Sequence, residues 1–157
     1  MNKDPIKIEG FSRVQIVNPD GKVKGDSGFV GPNTITNVGF LNYLCHLLGN
    51  SAGSRQVAFV ALGTGGTTAT DATGLAGEIT SSTQRNAPTY ANVGSTTAQF
   101  TVTFASSESF LTAAANLSNI GLFNSSAENS IFAGNTFASS SCNTNQAVNC
   151  TYQIRFS

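Results

Sequence analysis

The sequence predicts an all-β fold, a jelly-roll-like antiparallel β-sandwich with one short α-helix and an extended N-terminal arm. Val57–Leu62 is an unbroken apolar run that is too short for a helix and well sized for a buried strand. Ala98–Phe104 and Cys150–Ser157 alternate apolar and polar residues, as strands with one buried face do. Turn residues separate about seven or eight such segments, a spacing typical of sandwiches.

The composition fits one domain and excludes several classes of partner. The chain has 157 residues, 39% of them hydrophobic, and its eight Lys and Arg balance its eight Asp and Glu. A neutral chain without a cationic cluster is a poor match for nucleic acid, because binding to phosphates needs clustered Lys and Arg. No run approaches the ~20 apolar residues of a membrane span, and no targeting segment is recognisable. We therefore expect synthesis in a cytoplasm and no membrane partner.

The charged residues are unevenly distributed along the chain. Residues 1–28 hold nine of the sixteen, and the remaining 129 residues hold seven. We therefore divide the chain into an N-terminal arm and hairpin, 1–28, and a sandwich domain, 29–157. A charge-poor body rich in Ser, Thr, Asn, Gly and Ala suits a protein packed among identical copies, which predicts a homo-oligomer, either a dimer or a trimer. The alternative explanation of this composition is a secreted domain rich in hydroxyl groups.

The N-terminal segment combines a predicted docking arm with a predicted hairpin. The apolar side chains of Ile6, Ile8 and Phe11 are the expected contacts of the arm with a partner. Asn18-Pro19-Asp20-Gly21 has the residues of a turn, with Pro19 presetting φ and Gly21 accepting a positive φ.

Residues 36–48 form the predicted helix. Thr36 or Asn37 is the expected N-cap, Gly39 indicates close packing, and Gly49 is the expected terminator. An apolar stripe is expected to lie flat on the sheet, with Cys45 as a small core residue; the stripe comprises Phe40, Leu41, Leu44, Cys45, Leu47 and Leu48.

Several further segments have a predicted local structure. Gly63-Thr64-Gly65-Gly66 lacks the lysine of a phosphate-binding loop and is expected to be a strand-ending turn that needs positive φ. Glu78 is a candidate ion-pair partner of Arg85. Further strands are expected over 89–93, 117–123 and 130–137.

The sequence predicts no catalytic, cofactor or metal site. Gly49-Asn50-Ser51-Ala52-Gly53 matches G-x-S-x-G, but a helix enters it and a strand leaves, the reverse of a nucleophile elbow. One His, His46, and three Cys give no zinc-type spacing. Cys142 and Cys150 flank a short loop and are candidates for a disulfide, with the reduced state as the alternative. We expect a protein that is not an enzyme.

Four stretches together resemble a family of small virion proteins of tailed bacteriophages. They are NTITNVGFLNYLCHLL, VAFVALGTGGTTATDATGLAGEI, IGLFNSSAENSIFAGNTF and the terminal TYQIRFS. The resemblance covers roughly residues 11–157 and is most specific at Gly63–Thr68 and Gly121–Asn124. It implies a β-sandwich with a structural role, either as a capsid cement (decoration) protein or as a tail or fibre component. The chain departs from the family in lacking an Arg after FAGNTF and in carrying the Cys142–Cys150 loop.

The preferred functional hypothesis is a capsid cement protein on the exterior of a bacteriophage virion. Its sandwich would sit on the shell, and the arm would clamp neighbouring subunits of the major capsid protein. The alternative is a tail protein with a receptor- or carbohydrate-binding site, for which Tyr90 and Phe110 are candidate exposed aromatics. A hydrolase using Ser51 is a third, weaker hypothesis.

Overall fold

The structure, a computed structural model, describes residues 6–49, 55–81 and 85–157. Ten strands form two five-stranded antiparallel sheets. Sheet A has the order β2-β1-β10-β7-β6 and sheet B the order β3-β9-β8-β4-β5. The strands are β1 (Ile8–Val17), β2 (Val23–Asp26), β3 (Thr34–Ile35), β4 (Phe59–Gly63), β5 (Arg85–Asn86), β6 (Thr89–Asn92), β7 (Thr97–Phe104), β8 (Ala115–Phe123), β9 (Ile131–Cys142) and β10 (Ala147–Phe156). The predicted all-β sandwich is confirmed.

The core lies between the two sheets. Strand β7 buries Phe100 and Phe104, and β10 buries Tyr152 and Ile154, as their alternation predicts. The chain crosses between the sheets after β2, β5, β7 and β9. Sequential strands therefore cover each other's apolar faces, and one continuous core results.

Much of the predicted arm and hairpin belongs to sheet A. Strand β1 pairs with β10 over its whole length, from Ile8 opposite Phe156 to Val17 opposite Ala147. The predicted hairpin to β2 is confirmed, and Gly21 has a φ of 81° in its turn. Ile8–Val17 thus forms an inner strand of sheet A, while residues 1–5 lie outside the described residues.

Strand β4 is apolar throughout because both of its faces are covered. Val60 and Leu62 face the main core, whereas Ala61 packs in a second cluster with Leu75, Phe123 and Ile131. The segment after β4, which contains Leu75, therefore covers the outer face of sheet B. This explains why the run shows no alternation.

Gly65, in the loop after β4, is required by close packing. The prediction of positive φ in Gly63–Gly66 is wrong, since none of these residues has one. A Cβ on Gly65 would instead lie 2.3 Å from the carbonyl oxygen of Ala76. The loop presses its backbone against the returning chain, which only glycine allows.

The predicted helix exists, but its orientation differs from the prediction. It consists of a π-helix over Gly39–Cys45 and an α-helical turn over His46–Leu48. Thr36 caps it as predicted, because its Oγ1 accepts a hydrogen bond from the Gly39 N–H at 2.9 Å. Close packing of Gly39 is confirmed too, since a Cβ there would lie 2.3 Å from the Phe132 carbonyl oxygen.

The apolar stripe of this helical segment does not lie flat on the sheet, so that prediction is wrong. Tyr43 and Gly39 are the buried residues of the segment. Cys45 is exposed rather than a core residue. The large side chains left exposed are Phe40, Leu41, Leu47 and Leu48. The helical segment is anchored by Tyr43, whose hydroxyl donates to the Ser130 carbonyl oxygen at 2.5 Å. Leu44 packs against the core, and the other leucines of the segment are turned outward.

The three cysteines are free thiols. Cys142 ends β9 in sheet B, and Cys150 lies in β10 of sheet A. The possible disulfide between them is therefore absent from the structure. Burial raises the pKa of both thiols, and in Cys142 the nearby Lys24 opposes the rise.

Candidate functional site

Two carboxylates of the sandwich domain, those of Glu78 and Glu108, serve structural contacts. Arg85 donates two hydrogen bonds to Glu78, at 2.6 and 3.0 Å, which confirms the predicted pair. Glu108 accepts from the Asn86 side chain at 2.8 Å and from the Ala105 N–H at 3.0 Å. The described part of the chain contains no group of three or more His, Cys, Asp and Glu that could hold a metal ion. Of the G-x-S-x-G match, Asn50–Gly53 lie outside the described residues, including Ser51.

The first candidate surface is an aromatic cluster on the outer face of sheet A, formed by Phe11, Phe29 and Arg155. The guanidinium of Arg155 lies 4.0 Å from the centre of the Phe11 ring and 5.9 Å from that of Phe29. Arg155 also donates to the Gln153 side-chain oxygen at 2.7 and 3.0 Å. Two hydrogen bonds and a stacked ring thus hold this cation in place.

The three predicted docking residues have different environments. Ile6 is 83% exposed just before β1. Phe11 is half-buried beneath Arg155 in the aromatic cluster, whereas Ile8 packs against the core. The structure therefore brings Ile6 and Phe11 to the surface near one end of sheet A and leaves Ile8 as a structural residue.

The rest of the outer face of sheet A is polar and nearly neutral. Gln153 donates to Gln99 at 2.7 Å, and Thr103 donates to Asn149 at 2.8 Å. The charged side chains of Arg13 and Asp26 form a paired contact, and the hydrogen bonds from Arg13 hold the pKa of Asp26 below its usual range. A shallow polar trough of about 600 Å³ lies between β6, β7 and β10; its lining includes Asn86, Thr89, Thr101, Thr103, Glu108 and Asn149.

Tyr90 and Phe110, the candidate aromatic residues of a carbohydrate-binding site, do not line the polar trough. Tyr90 is 55% exposed, but its ring packs against Phe100 on the opposite face of the sheet. Phe110 is buried against Phe104 in the core, so the expectation that it is exposed is wrong. The polar trough therefore has hydroxyl, amide and carboxylate groups without an aromatic platform.

The second candidate surface is a groove at one end of the sandwich, between the helical segment and sheet A. Its volume is about 480 Å³. We call it the end groove. Its lining is largely apolar and includes Leu44, Leu47, Val57, Tyr90, Ala98 and Phe156.

Few polar groups face the end groove. Arg55, its charged lining residue, lies 3.9 Å from the carboxylate of Glu128 within the same chain. Tyr43 also borders the groove; burial raises the pKa of its hydroxyl, which stays a neutral donor to Ser130. The end groove is therefore a neutral, apolar concavity.

Sequence reasoning singled out Leu44 and Leu47, two residues of the leucine stripe that line the end groove, without recognising the groove. The leucine stripe of residues 36–48 was visible as a periodic pattern, but a stripe indicates only that something covers it. The aromatic cluster joins residues of β1, of the segment after β2 and of β10. No spacing in the sequence signals such an arrangement.

Comparisons with known proteins identify no relative: no family model, no curated protein and no solved structure matches the chain. Within the described residues, none of the helices has the length and apolar character needed to cross a membrane.

Proposed function

We propose that this chain is a non-enzymatic structural protein of a tailed-bacteriophage virion, a cement protein that clamps neighbouring major capsid subunits from outside the shell. The resemblance of its sequence to small virion proteins supports the class. The observation that carries the docking role is the outer face of sheet A, where the aromatic cluster adjoins a neutral polar surface. In this proposal the protein is made in the host cytoplasm, uses no cofactor, and binds neither nucleic acid nor membrane.

A neutral polar face suits contact with a large, regular partner. Glutamine, threonine and asparagine side chains satisfy one another within the sheet, as in the bonds of Gln153 to Gln99 and of Thr103 to Asn149. Removing water from such groups costs less than removing it from unpaired charges. The wide face of the sandwich can therefore lie against protein without a large electrostatic cost.

The aromatic cluster supplies the expected anchor. Aromatic and arginine side chains dominate binding energy at protein interfaces, especially where they are already held in place. Phe29 is 46% exposed beside the fixed guanidinium of Arg155, and Ile6 is exposed at the start of the same sheet. These groups give the capsid a small apolar and cationic contact flanked by hydrogen-bonding side chains.

The polar trough supports a second candidate function, a carbohydrate-binding protein of the tail. Its threonine, asparagine and glutamate groups can hydrogen-bond sugar hydroxyls. Binding of defined glycans by the wild-type protein, lost in Asn149→Ala and kept in Phe29→Asp, would favour this function over the first.

The test of the cement function is the occupancy of capsids that lack the protein. Wild-type protein is expected to saturate them, and Phe29→Asp is expected to bind at least tenfold more weakly, because it removes an exposed anchor. Ala113→Asp is the matched control, since it adds the same charge at an exposed residue of the loop before β8, outside the strands of sheet A. Equal occupancy by wild type and Phe29→Asp would contradict the docking face, and no binding by wild type would contradict the function.

A further inference from the structure

We propose that the end groove is the self-association surface of this protein, and that it is filled by the helical segment of a second copy in a two-fold dimer. The inference deepens the proposed function, which includes a homo-oligomer, by naming the surface that joins the copies. It is argued from the exposed side chains of the helical segment, from the charge of the groove and from the neighbouring sheet edge.

The helical segment has both projecting and recessed apolar groups. Leu48 is 89% exposed and Leu41 is 56% exposed, while Leu44 and Leu47 line the groove. An interface with two-fold symmetry needs a patch that is complementary to itself, because each copy contributes the same residues. Projecting leucines beside an apolar groove on one segment meet this requirement.

The clustering of these side chains separates them from ordinary surface apolar residues. Single exposed leucines are common, whereas a contiguous apolar patch with polar surroundings indicates an interaction site. Phe40, Leu41, Leu47 and Leu48 all come from one short segment, and Tyr90 and Phe156 extend the patch onto sheet A. Removing these side chains from water is favourable in proportion to the apolar surface area that becomes buried.

The charge of the groove indicates a neutral occupant. Arg55 already lies beside Glu128, so a partner need not bring a carboxylate. A charged side chain of a partner would lose its hydration in the groove and would find Arg55 already paired with Glu128. The apolar surface of a second copy meets the condition because it has the same neutral character.

The edge of sheet A gives an additional reason for covering this end of the molecule. Strand β6 is the last strand of the sheet, all four of its residues are exposed, and its Tyr90 lines the groove. The edge strand of a sheet has unpaired backbone N–H and C=O groups that can pair with other chains, so proteins usually shield such edges. A second copy seated in the groove shields the side of β6 that bears Tyr90.

The test is sedimentation of the purified full-length protein, without capsids, over a range of concentrations. Wild type is expected to sediment as a dimer of the 16.2 kDa chain. Leu48→Glu is expected to weaken the dimer at least tenfold, because it places a charge in an apolar contact. Val23→Glu is the matched control on an exposed apolar residue distant in sequence, and it is expected to remain dimeric. Circular dichroism and thermal unfolding verify that each variant is folded. Leu48→Glu should not disturb the fold, because Leu48 is largely exposed.

Three results would overturn the inference. Wild type could sediment as a monomer at all concentrations, or Leu48→Glu could leave the association unchanged. Alternatively, a monomeric wild type could occupy capsids while Leu48→Glu does not, which would assign the groove to the capsid protein. Because the sedimentation test uses no capsids, its failure is distinct from failure of the capsid-binding test.

Discussion

Arg85 is a buried cation in a domain that has few charges. Its side chain is 1% exposed and that of its partner Glu78 is 10% exposed. It also stacks 3.6 Å from the centre of the Phe123 ring and donates to the carbonyl oxygens of Ser125 and Glu128 at 2.9 and 2.8 Å. Arg85 therefore links β5 to Glu78, in the segment that follows β4, and to the turn after β8.

Replacing Arg85 by Met should strongly destabilise the fold. The variant removes the hydrogen bonds that Arg85 donates to Glu78 and to two carbonyl groups, and breaking a buried pair from one side typically costs about 3–5 kcal/mol. Urea denaturation measures the loss. Arg13→Met is the control, because it breaks an exposed ion pair and should change stability much less. A loss in Arg85→Met no larger than that in Arg13→Met would contradict this account.

The thiols provide a second test at the level of residues. Burial raises the pKa of Cys142 and Cys150, and both are inaccessible, whereas Cys45 is exposed. A thiol reagent should therefore label one cysteine quickly in the native protein and all three after unfolding. Cys45→Ser should abolish the fast reaction. Two unreactive cysteines in the unfolded, unreduced protein would instead show that Cys142 and Cys150 form a disulfide.

At the level of elements, the helical segment shows how packing overrides local preference. Gly39 lies in its first turn, where Ala would be favoured by about 1 kcal/mol in an isolated helix. The Phe132 carbonyl oxygen closes that space, and it also accepts a hydrogen bond from the Thr36 N–H at 3.0 Å. The glycine is therefore fixed by the contact between the helical segment and β9.

Gly39→Ala should destabilise the protein despite its higher helix propensity. The new Cβ would displace the Phe132 carbonyl, and such overpacking typically costs about 1–3 kcal/mol. Gly49→Ala is the matched control, since its nearest contact would be the Cys45 carbonyl oxygen at an ordinary 3.4 Å. Thermal unfolding should show a lower midpoint for Gly39→Ala alone. Equal midpoints would show that the contact with β9 is loose.

Pattern and turn chemistry predicted the elements better than their surroundings. The alternation of β7, the turn at Pro19–Gly21 and the Thr36 cap are local signals, and each is confirmed. The direction of the leucine stripe was predicted wrongly because periodicity identifies a face but not its cover. Phe110 was misplaced for the same reason, since its burial depends on Phe104 of the preceding strand.

The candidate surfaces were the least predictable part of the molecule. The aromatic cluster depends on the pairing of β1 with β10, which joins the two ends of the chain. Long-range pairing of this kind follows from the whole fold and has no local signature. Ile6 and Phe11 were identified as apolar residues of an N-terminal segment, whereas Phe29 and Arg155 required the structure.

At the scale of the whole molecule, the two surfaces make a consistent assembly unit. The outer face of sheet A, with the aromatic cluster, is proposed to meet the capsid, and the end groove is proposed to join two copies. They share β10, which contributes Arg155 to the cluster and Phe156 to the groove, but adjacent side chains of a strand point to opposite faces of the sheet. Both can therefore be occupied in one assembly.

The central proposal is that the protein acts by contact area on a virion shell, and counting its copies in purified particles tests this most directly. Quantitative mass spectrometry against a labelled standard should find on the order of hundreds of copies per particle, because shell symmetry repeats every cement site. A count in the tens would contradict a cement role and favour the tail, and absence from mature particles would contradict the virion assignment altogether.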